Sequence, residues 1–214
     1  NLQGERIDFV ATDGFRSAHR QVNLDKANKN GFKNLIPRRT FEEVLRIIEE
    51  EAGEEDTDVE VATSTGANQV IFKVGQTAVS SRLIEGNFPA WEKIIPTEIK
   101  ARGVVERTQL VSAVKLASVF AKSEANVLDL KVEKDKLSIS SEAKELGSQQ
   151  NEVEAQVEGE SLEIAFNSRF LLDALQAANS TQLIMEFSGP LSPTLIKPIG
   201  EEGLQYIVMP VRLS

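Results

Sequence analysis

The sequence predicts an α+β fold in which largely antiparallel sheets carry helices on one side. Three observations lead there. A unit of a short apolar strand, a polar cap, a helix of about three turns and paired alternating strands occurs three times. Strands outnumber helices. The strands alternate apolar with polar residues, the pattern of sheets with one solvated face. The helices start near Phe41, Gln109 and Ser168, a spacing longer than the periods of common solenoids.

In the first unit Asn34 to Pro37 reads as a strand end, and Thr40 and Glu43 stand in capping-box spacing. Phe41, Val44, Leu45 and Ile48 then form one apolar helical stripe. Asp58 to Thr63 and Gln69 to Val74 alternate around the turn-rich segment from Ser64 through Thr65 and Ala67 to Asn68, a hairpin signature, and Thr77 to Ile84 follows Gly75. The second unit opens at Val104 and Val105, with Thr108 as cap and Leu110, Val114, Ala117 and Ala121 on one face. Its strands are Asn126 to Glu133, Lys136 to Ser141 and Glu152 to Val157. The third opens on Leu162 to Phe166, is capped by Asn167, and carries Leu171, Ala174, Leu175 and Ala178 along its helix. Thr181 to Phe187, Pro193 to Lys197 and Leu204 to Pro210 complete it.

The stretch from Gly86 to Arg102, with Pro89 and Pro96, separates the first unit from the others and sets a domain boundary near Thr97: residues 1–96 as one domain, 97–214 as another. Before the first unit, Arg6 to Ala11 and Ser17 to Val22 alternate as strands with no helix ahead of them. They read as the tail of an absent fourth unit, and a sheet without its partner strands leaves an open edge.

A chain of 214 residues can bury a real core, and 41% hydrophobic with 27% charged residues is ordinary for a globular protein. No apolar run is long enough to cross a bilayer and no charged-then-apolar leader opens the sequence, so a cytoplasmic address is expected. The absence of cysteine excludes disulfides, thiolate metal sites and cysteine nucleophiles. A net charge of −9 argues against gripping nucleic acid over the whole surface, but leaves room for a local basic face. The acids Glu49, Glu50, Glu51, Glu54, Glu55, Asp56 and Asp58 read as a solvated helix end and loop.

Catalytic chemistry is sparse. His19 is the only histidine, so a Ser-His-Asp triad would rest on one residue inside an apparent strand, where a structural role is expected. There is no phosphate loop, G-x-S-x-G elbow or H-E-x-x-H helix. No enzyme activity, cofactor or metal is expected.

Three segments are more particular. Ala11 to Arg16 ends a strand in an Asp-Gly turn. Ser81 to Trp91 places Phe88, Pro89 and Trp91 just past a strand, a connector apolar enough to require packing. Tyr206 to Leu213 is apolar on both strand faces, Tyr206 and Val208 pointing one way and Ile207 and Met209 the other; Pro210 marks an edge or strand end. One face can serve the core while the other lines a groove, where soft Met209 suits varied ligands.

Together with Ile36-Pro37-Arg38-Arg39, these segments resemble, in order and spacing, the bacterial DNA sliding clamp, the β subunit of the replicative DNA polymerase III holoenzyme. The resemblance spans essentially the whole chain. It implies the latter part of the second clamp domain in residues 1–96 and the complete third in 97–214. It also implies a nonenzymatic processivity factor that encircles duplex DNA and tethers the replicative polymerase, the clamp loader and repair proteins. The full-length protein is then a head-to-tail homodimer, and this stretch alone a monomer.

The family's helices line the hole of the ring. This points to Arg38, Arg39, Arg46, Arg107, Lys115, Lys122 and Arg169 as DNA-facing, with contact that is weak, sequence-independent and salt-sensitive. The family's pocket for short linear motifs lies between its second and third domains. It maps to Thr12, Gly14, Phe15, Arg16, Ser17, Pro89, Lys93, Ile94, Val208, Met209, Pro210 and Val211, with Asn167, Phe170, Leu191 and Pro193 aligned less directly. Phe15 departs from the histidine or tyrosine of many clamps, Ser17 from a common leucine and Lys93 from the arginine of some members; such changes reshape the pocket without abolishing it. A peptide-binding adaptor without DNA contact would keep the groove and lose the basic helix face. A hydrolase would need an acidic pair in a concave site.

Overall fold

The computed structural model describes residues 1–51, 58–64, 66, 68–122, 125–143 and 147–212, without the side chains of residues 29 and 30. Of the sequence expectations, Glu54, Glu55, Asp56, Thr65, Ala67 and Leu213 lie outside the described residues. The chain forms two compact units, the first from 1–3 and 29–89, the second from 4–28 and 90–214.

In the first unit, helix α1 (Arg38–Glu51) packs on the antiparallel sheet of β3 (Val59–Ser64), β4 (Gln69–Val74) and β5 (Thr77–Arg82). Val44 and Ile47 meet Val70, Phe72 and Val74, and the Phe41 and Phe72 rings meet edge-on at 5.7 Å. Three expectations fail here. Thr40 does not cap α1: it sits inside the first turn, buried, and its hydroxyl donates to Ser81 Oγ at 2.8 Å. The buried positions of the helix are Thr40, Val44 and Ile47, which leaves Leu45 57% exposed instead of buried. Asn34 to Pro37 adopts no strand.

The second unit is a ten-stranded sheet in the order β1-β2-β13-β12-β11-β6-β9-β8-β7-β10. Its strands, in chain order, are β1 (Leu2–Thr12), β2 (Arg16–Phe32), β6 (Ala101–Glu106), β7 (Val127–Glu133), β8 (Lys136–Ala143), β9 (Gly147–Gly159), β10 (Leu162–Asn167), β11 (Gln182–Phe187), β12 (Thr194–Pro198) and β13 (Leu204–Val208). The pairings between these strands are antiparallel. Helices α2 (Arg107–Ala121) and α3 (Ser168–Ala177) pack on each other, and α2 also lies against β8 and β9.

Helix α2 buries Leu110, Val114, Ala117 and Ala121, the stripe the spacing predicts, and α3 buries Leu171, Ala174 and Leu175, with Ala178 just past its end. These meet Leu128, Leu130, Leu137, Ile139, Phe166, Leu183, Met185 and Phe187 in one core. Fully burying each large side chain stabilises by roughly 1.5–3 kcal/mol. Asn167 caps α3, its Oδ1 accepting from the Arg169 N–H at 3.0 Å. The cap of α2 is Glu106 instead of Thr108. Its carboxylate accepts from the Gln109 N–H at 2.7 Å, and Thr108 donates its hydroxyl to the same group. These bonds hold Glu106 below the usual carboxylate range, the Thr108 hydroxyl contributing most.

Candidate functional site

The second unit brings the two ends of its sequence together. Strand β2 pairs antiparallel with β13 in the register Arg16↔Val208, Ser17↔Ile207, Ala18↔Tyr206 and His19↔Gln205. Beyond Val208 the chain leaves the ladder but stays tied. The Met209 N–H donates to the Phe15 carbonyl at 2.9 Å and the Val211 N–H donates to the Ala165 carbonyl at 2.8 Å. Pro210, which has no N–H, falls between the two bonds and costs neither. Tyr206 and Val208 enter the core as alternation predicts, and Ile207 is buried too. Met209, Pro210 and Val211 are half-buried.

The turn from β1 to β2 is held by its own side chains. Thr12 Oγ1 accepts from the Gly14 N–H and donates to the Arg16 carbonyl. Asp13 Oδ1 accepts from the Phe15 and Arg16 N–H groups at 3.0 and 3.1 Å, and its Oδ2 from Arg16 Nε at 3.0 Å. Burial alone would raise the Asp13 carboxyl, but these bonds outweigh it and hold the group below its ordinary value. Gly14, at φ +89°, takes the left-handed position the turn needs.

Locked this way, the turn presents an aromatic wall. Phe15 is 61% exposed and stacks on Phe170 of α3, with ring centroids 5.8 Å apart and planes at 21°. The Arg16 guanidinium lies 4.8 Å from the Phe170 centroid, and its Nη1 donates to Asp173 Oδ2 at 2.5 Å. Partial burial works against the charge on Arg16, but its bonds to Asp173 and Asp13 raise its pKa and keep it cationic. Ser17 is half-buried opposite Ile207, and Asn167 and Phe170 sit at the start of α3. Leu191 is 58% exposed and Pro193 half-buried, just before Thr194, which pairs with Val208. Lys93 and Ile94 are exposed on a 3₁₀ turn (Trp91–Ile94) whose Trp91 ring rests on His19 of β2. Pro89 is an exposed residue of the first unit.

The basic residues divide by what already holds them. Arg38 is exposed but pairs with Glu42 at 2.8 Å, and Arg46 pairs with Glu43 at 2.5 Å and with Glu50. Arg107 donates through Nε to the Ser180 carbonyl at 2.8 Å, fastening the start of α2 to the approach to β11. Arg39, Lys115, Lys122 and Arg169 are exposed and make no ion pair among the described residues. Asp173 escapes sequence reasoning, because 157 residues separate it from Arg16 and nothing local to α3 marks it.

Among the described residues no group of three or more acidic, histidine or cysteine side chains could hold a metal ion, and no helix is long and apolar enough to cross a membrane.

Comparison with known proteins agrees with this architecture along the whole chain. The beta sliding clamp of Staphylococcus aureus is 33% identical over 214 residues, covering 99% of this chain and 55% of that protein. The DNA polymerase III beta subunit of Thermotoga maritima superposes with a TM-score of 0.90 at 28% identity, covering 100% of this chain and 56% of that one. A sliding clamp from Pseudomonas aeruginosa, solved bound to griselimycin, gives a TM-score of 0.91 at 25% identity, covering 99% of this chain and 56% of that one. The chain thus spans about half the length of the curated relatives it matches. The family model for the central domain of the DNA polymerase III beta subunit matches residues 1–90, and that for the C-terminal domain matches 92–212. The chain therefore belongs to the DNA polymerase III beta subunit family.

Proposed function

We propose that the protein is a nonenzymatic processivity factor, which encircles duplex DNA and tethers the replicative polymerase, the clamp loader and repair proteins through short linear motifs. The observation that carries this reading is the wall of Phe15, Phe170 and Arg16 beside the half-buried Met209, set by the β2–β13 register and the Met209–Phe15 bond. An extended peptide would seat apolar side chains against these residues and against Ser17, Asn167, Leu191, Pro193, Val208, Pro210 and Val211, with Lys93 and Ile94 on the rim. The Pseudomonas aeruginosa relative, solved with griselimycin bound, supports a ligand-binding surface in this family.

Arg38, Arg39, Arg46, Arg107, Lys115, Lys122 and Arg169 form the DNA-facing set in this reading. Arg39, Lys115, Lys122 and Arg169 contribute most, because the others are engaged by carboxylates or a backbone carbonyl. Residues 1–96 then represent the latter part of a middle domain and 97–214 a C-terminal domain. The full-length protein is a head-to-tail homodimer in the cytoplasm, and this stretch by itself a monomer.

The test is a fluorescence-anisotropy titration with a labelled Leu-rich hexapeptide ending in phenylalanine. Saturable binding at micromolar strength, about −8 kcal/mol, is expected. Met209→Asp places a charge against the apolar wall and should abolish saturation. A flat titration with the unaltered protein, or an unaltered isotherm for Met209→Asp, would sink the reading.

A further inference from the structure

The only histidine and the only tryptophan of the sequence lie against each other, although nothing catalytic surrounds them. His19 is buried at 8% exposure, and its ring centroid is 4.2 Å from that of Trp91. The imidazole sits in a defined chain of polar contacts. Gln205 Nε2 donates to Nδ1 at 3.1 Å, so the ring proton is on Nε2, which donates to Asp8 Oδ1 at 2.9 Å. Asp8 is held in turn by Arg6, Nη2 to Oδ1 at 2.7 Å. Burial works against the Asp8 charge, but the bonds from Arg6 and His19 outweigh it and keep the carboxyl below its ordinary value. Side chains from β1 and β13 thus fix the plane of one imidazole on β2.

The turn that rests on that plane draws little support from its own backbone. The Trp91–Ile94 turn has four residues, none of them buried, and Ala90 before it offers no side-chain cap. Its Lys93–Ala90 hydrogen bond only closes the turn on itself. So short a 3₁₀ segment has no stability of its own. The register sets the location as well. His19 opposes Gln205 and Ser17 opposes Ile207, so with a period of two all four project from the same sheet face. Trp91 therefore lies on the face that carries Ser17 and Ile207.

We infer that His19 is a positioning residue for peptide recognition: it clamps Trp91 so that Lys93 and Ile94 are held ready at the edge of the pocket. The inference rests on the peptide-pocket reading. His19 itself touches no ligand; it acts through Trp91.

The test combines His19→Ala, Trp91→Ala and the double variant with the hexapeptide titration, monitored beside thermal melting. Because Trp91 is the sole tryptophan, its emission reports the clamp directly in the histidine variants. His19→Ala should shift the emission to longer wavelength and weaken peptide binding about fivefold to tenfold. Trp91→Ala leaves the Asp8–His19–Gln205 chain in place and should weaken binding by a similar factor. The double variant should be no weaker than either single one, because each breaks the same link. His19→Phe, which keeps a ring under Trp91, should recover most of the affinity whatever its melting temperature, an outcome that a purely structural role for the imidazole would not give. Affinities of both single variants within twofold of the unaltered protein would overturn the inference, as would multiplying losses in the double variant. If the unaltered protein binds no peptide, the pocket reading itself fails, and this inference with it.

Discussion

Replacing Phe170 by alanine removes the platform on which two residues of the proposed pocket rest. The Phe15 ring loses its stacking partner at 5.8 Å and the Arg16 guanidinium loses the ring face at 4.8 Å, while the Arg16–Asp173 ion pair keeps its atoms. An aromatic pair contributes about 0.5–1.5 kcal/mol beyond the area it buries, and a cation over a ring at an exposed site about 0.5–1 kcal/mol. Without the ring, Phe15 and Arg16 become free to reorient, and binding a peptide must order them again. At roughly 0.5–1.5 kcal/mol for each side chain, that penalty is about 1–3 kcal/mol, or at least a fivefold weakening and about tenfold at 1.4 kcal/mol. Phe170→Leu keeps apolar bulk without the π face and should fall between alanine and the unaltered protein. The assay is the hexapeptide titration, with thermal melting to confirm that both variants are folded. The loss should appear mainly as faster dissociation. An alanine variant whose Kd stays within twofold of the unaltered protein would refute the idea that the wall is pre-ordered by Phe170.

Two further outcomes follow from other parts of the second unit. Asp129 is paired in register with Ser140, has a buried oxygen without a hydrogen-bond partner, and is pushed above the ordinary carboxylate range by burial and then by Glu163. Because the native state holds this proton more tightly than the unfolded chain, Asp129 penalises folding above its raised folded-state value, and acidification through that value relieves the penalty. Asp129→Asn should raise the melting temperature at pH 7 by about 2–4 °C, for a gain of about 1 kcal/mol, and should shrink the difference between variants as pH falls; a lower melting temperature at pH 7 contradicts the argument. On the proposed DNA role, Lys115→Ala with Lys122→Ala should weaken duplex binding. It should also flatten the slope of log affinity against log salt by roughly 0.9 for each phosphate that is no longer neutralised, and an unchanged slope would remove these lysines from the DNA-facing set.

Local chemistry was legible wherever periodicity and burial coincide. The α2 stripe from Leu110 to Ala121 could be read from spacing alone, because helix geometry forces those side chains onto one face. The caps were harder. Thr40 and Thr108 both stand at plausible positions, yet one hydroxyl is claimed by Ser81, 41 residues away, and the other serves a glutamate that does the capping itself. Which face of α1 is buried, and hence that Leu45 is exposed, depends on the residues that β4 and β5 present to it, so no local pattern could have announced it. The residues of the proposed groove showed the same division. An apolar strand such as Tyr206 to Met209 advertises that both faces need cover. It does not say that Arg16 will be shared between Phe170 and Asp173, or that Trp91 will settle on His19, since those partners are brought together by the topology of the sheet.

The pairing of β2 with β13 also governs the order of events during folding. His19 and Gln205 are neighbours across 186 residues of chain, and Arg16 and Val208 are farther apart still. Contacts so distant in sequence must meet the entropy of closing a long loop before they return any stabilisation, which makes them slow to form. The helices and local hairpins can therefore assemble well before this seam does. A partner that reads Phe15, Arg16 and Met209 together would find its target only on chains whose β2 and β13 have already met, so recognition doubles as a check that the second unit has finished folding.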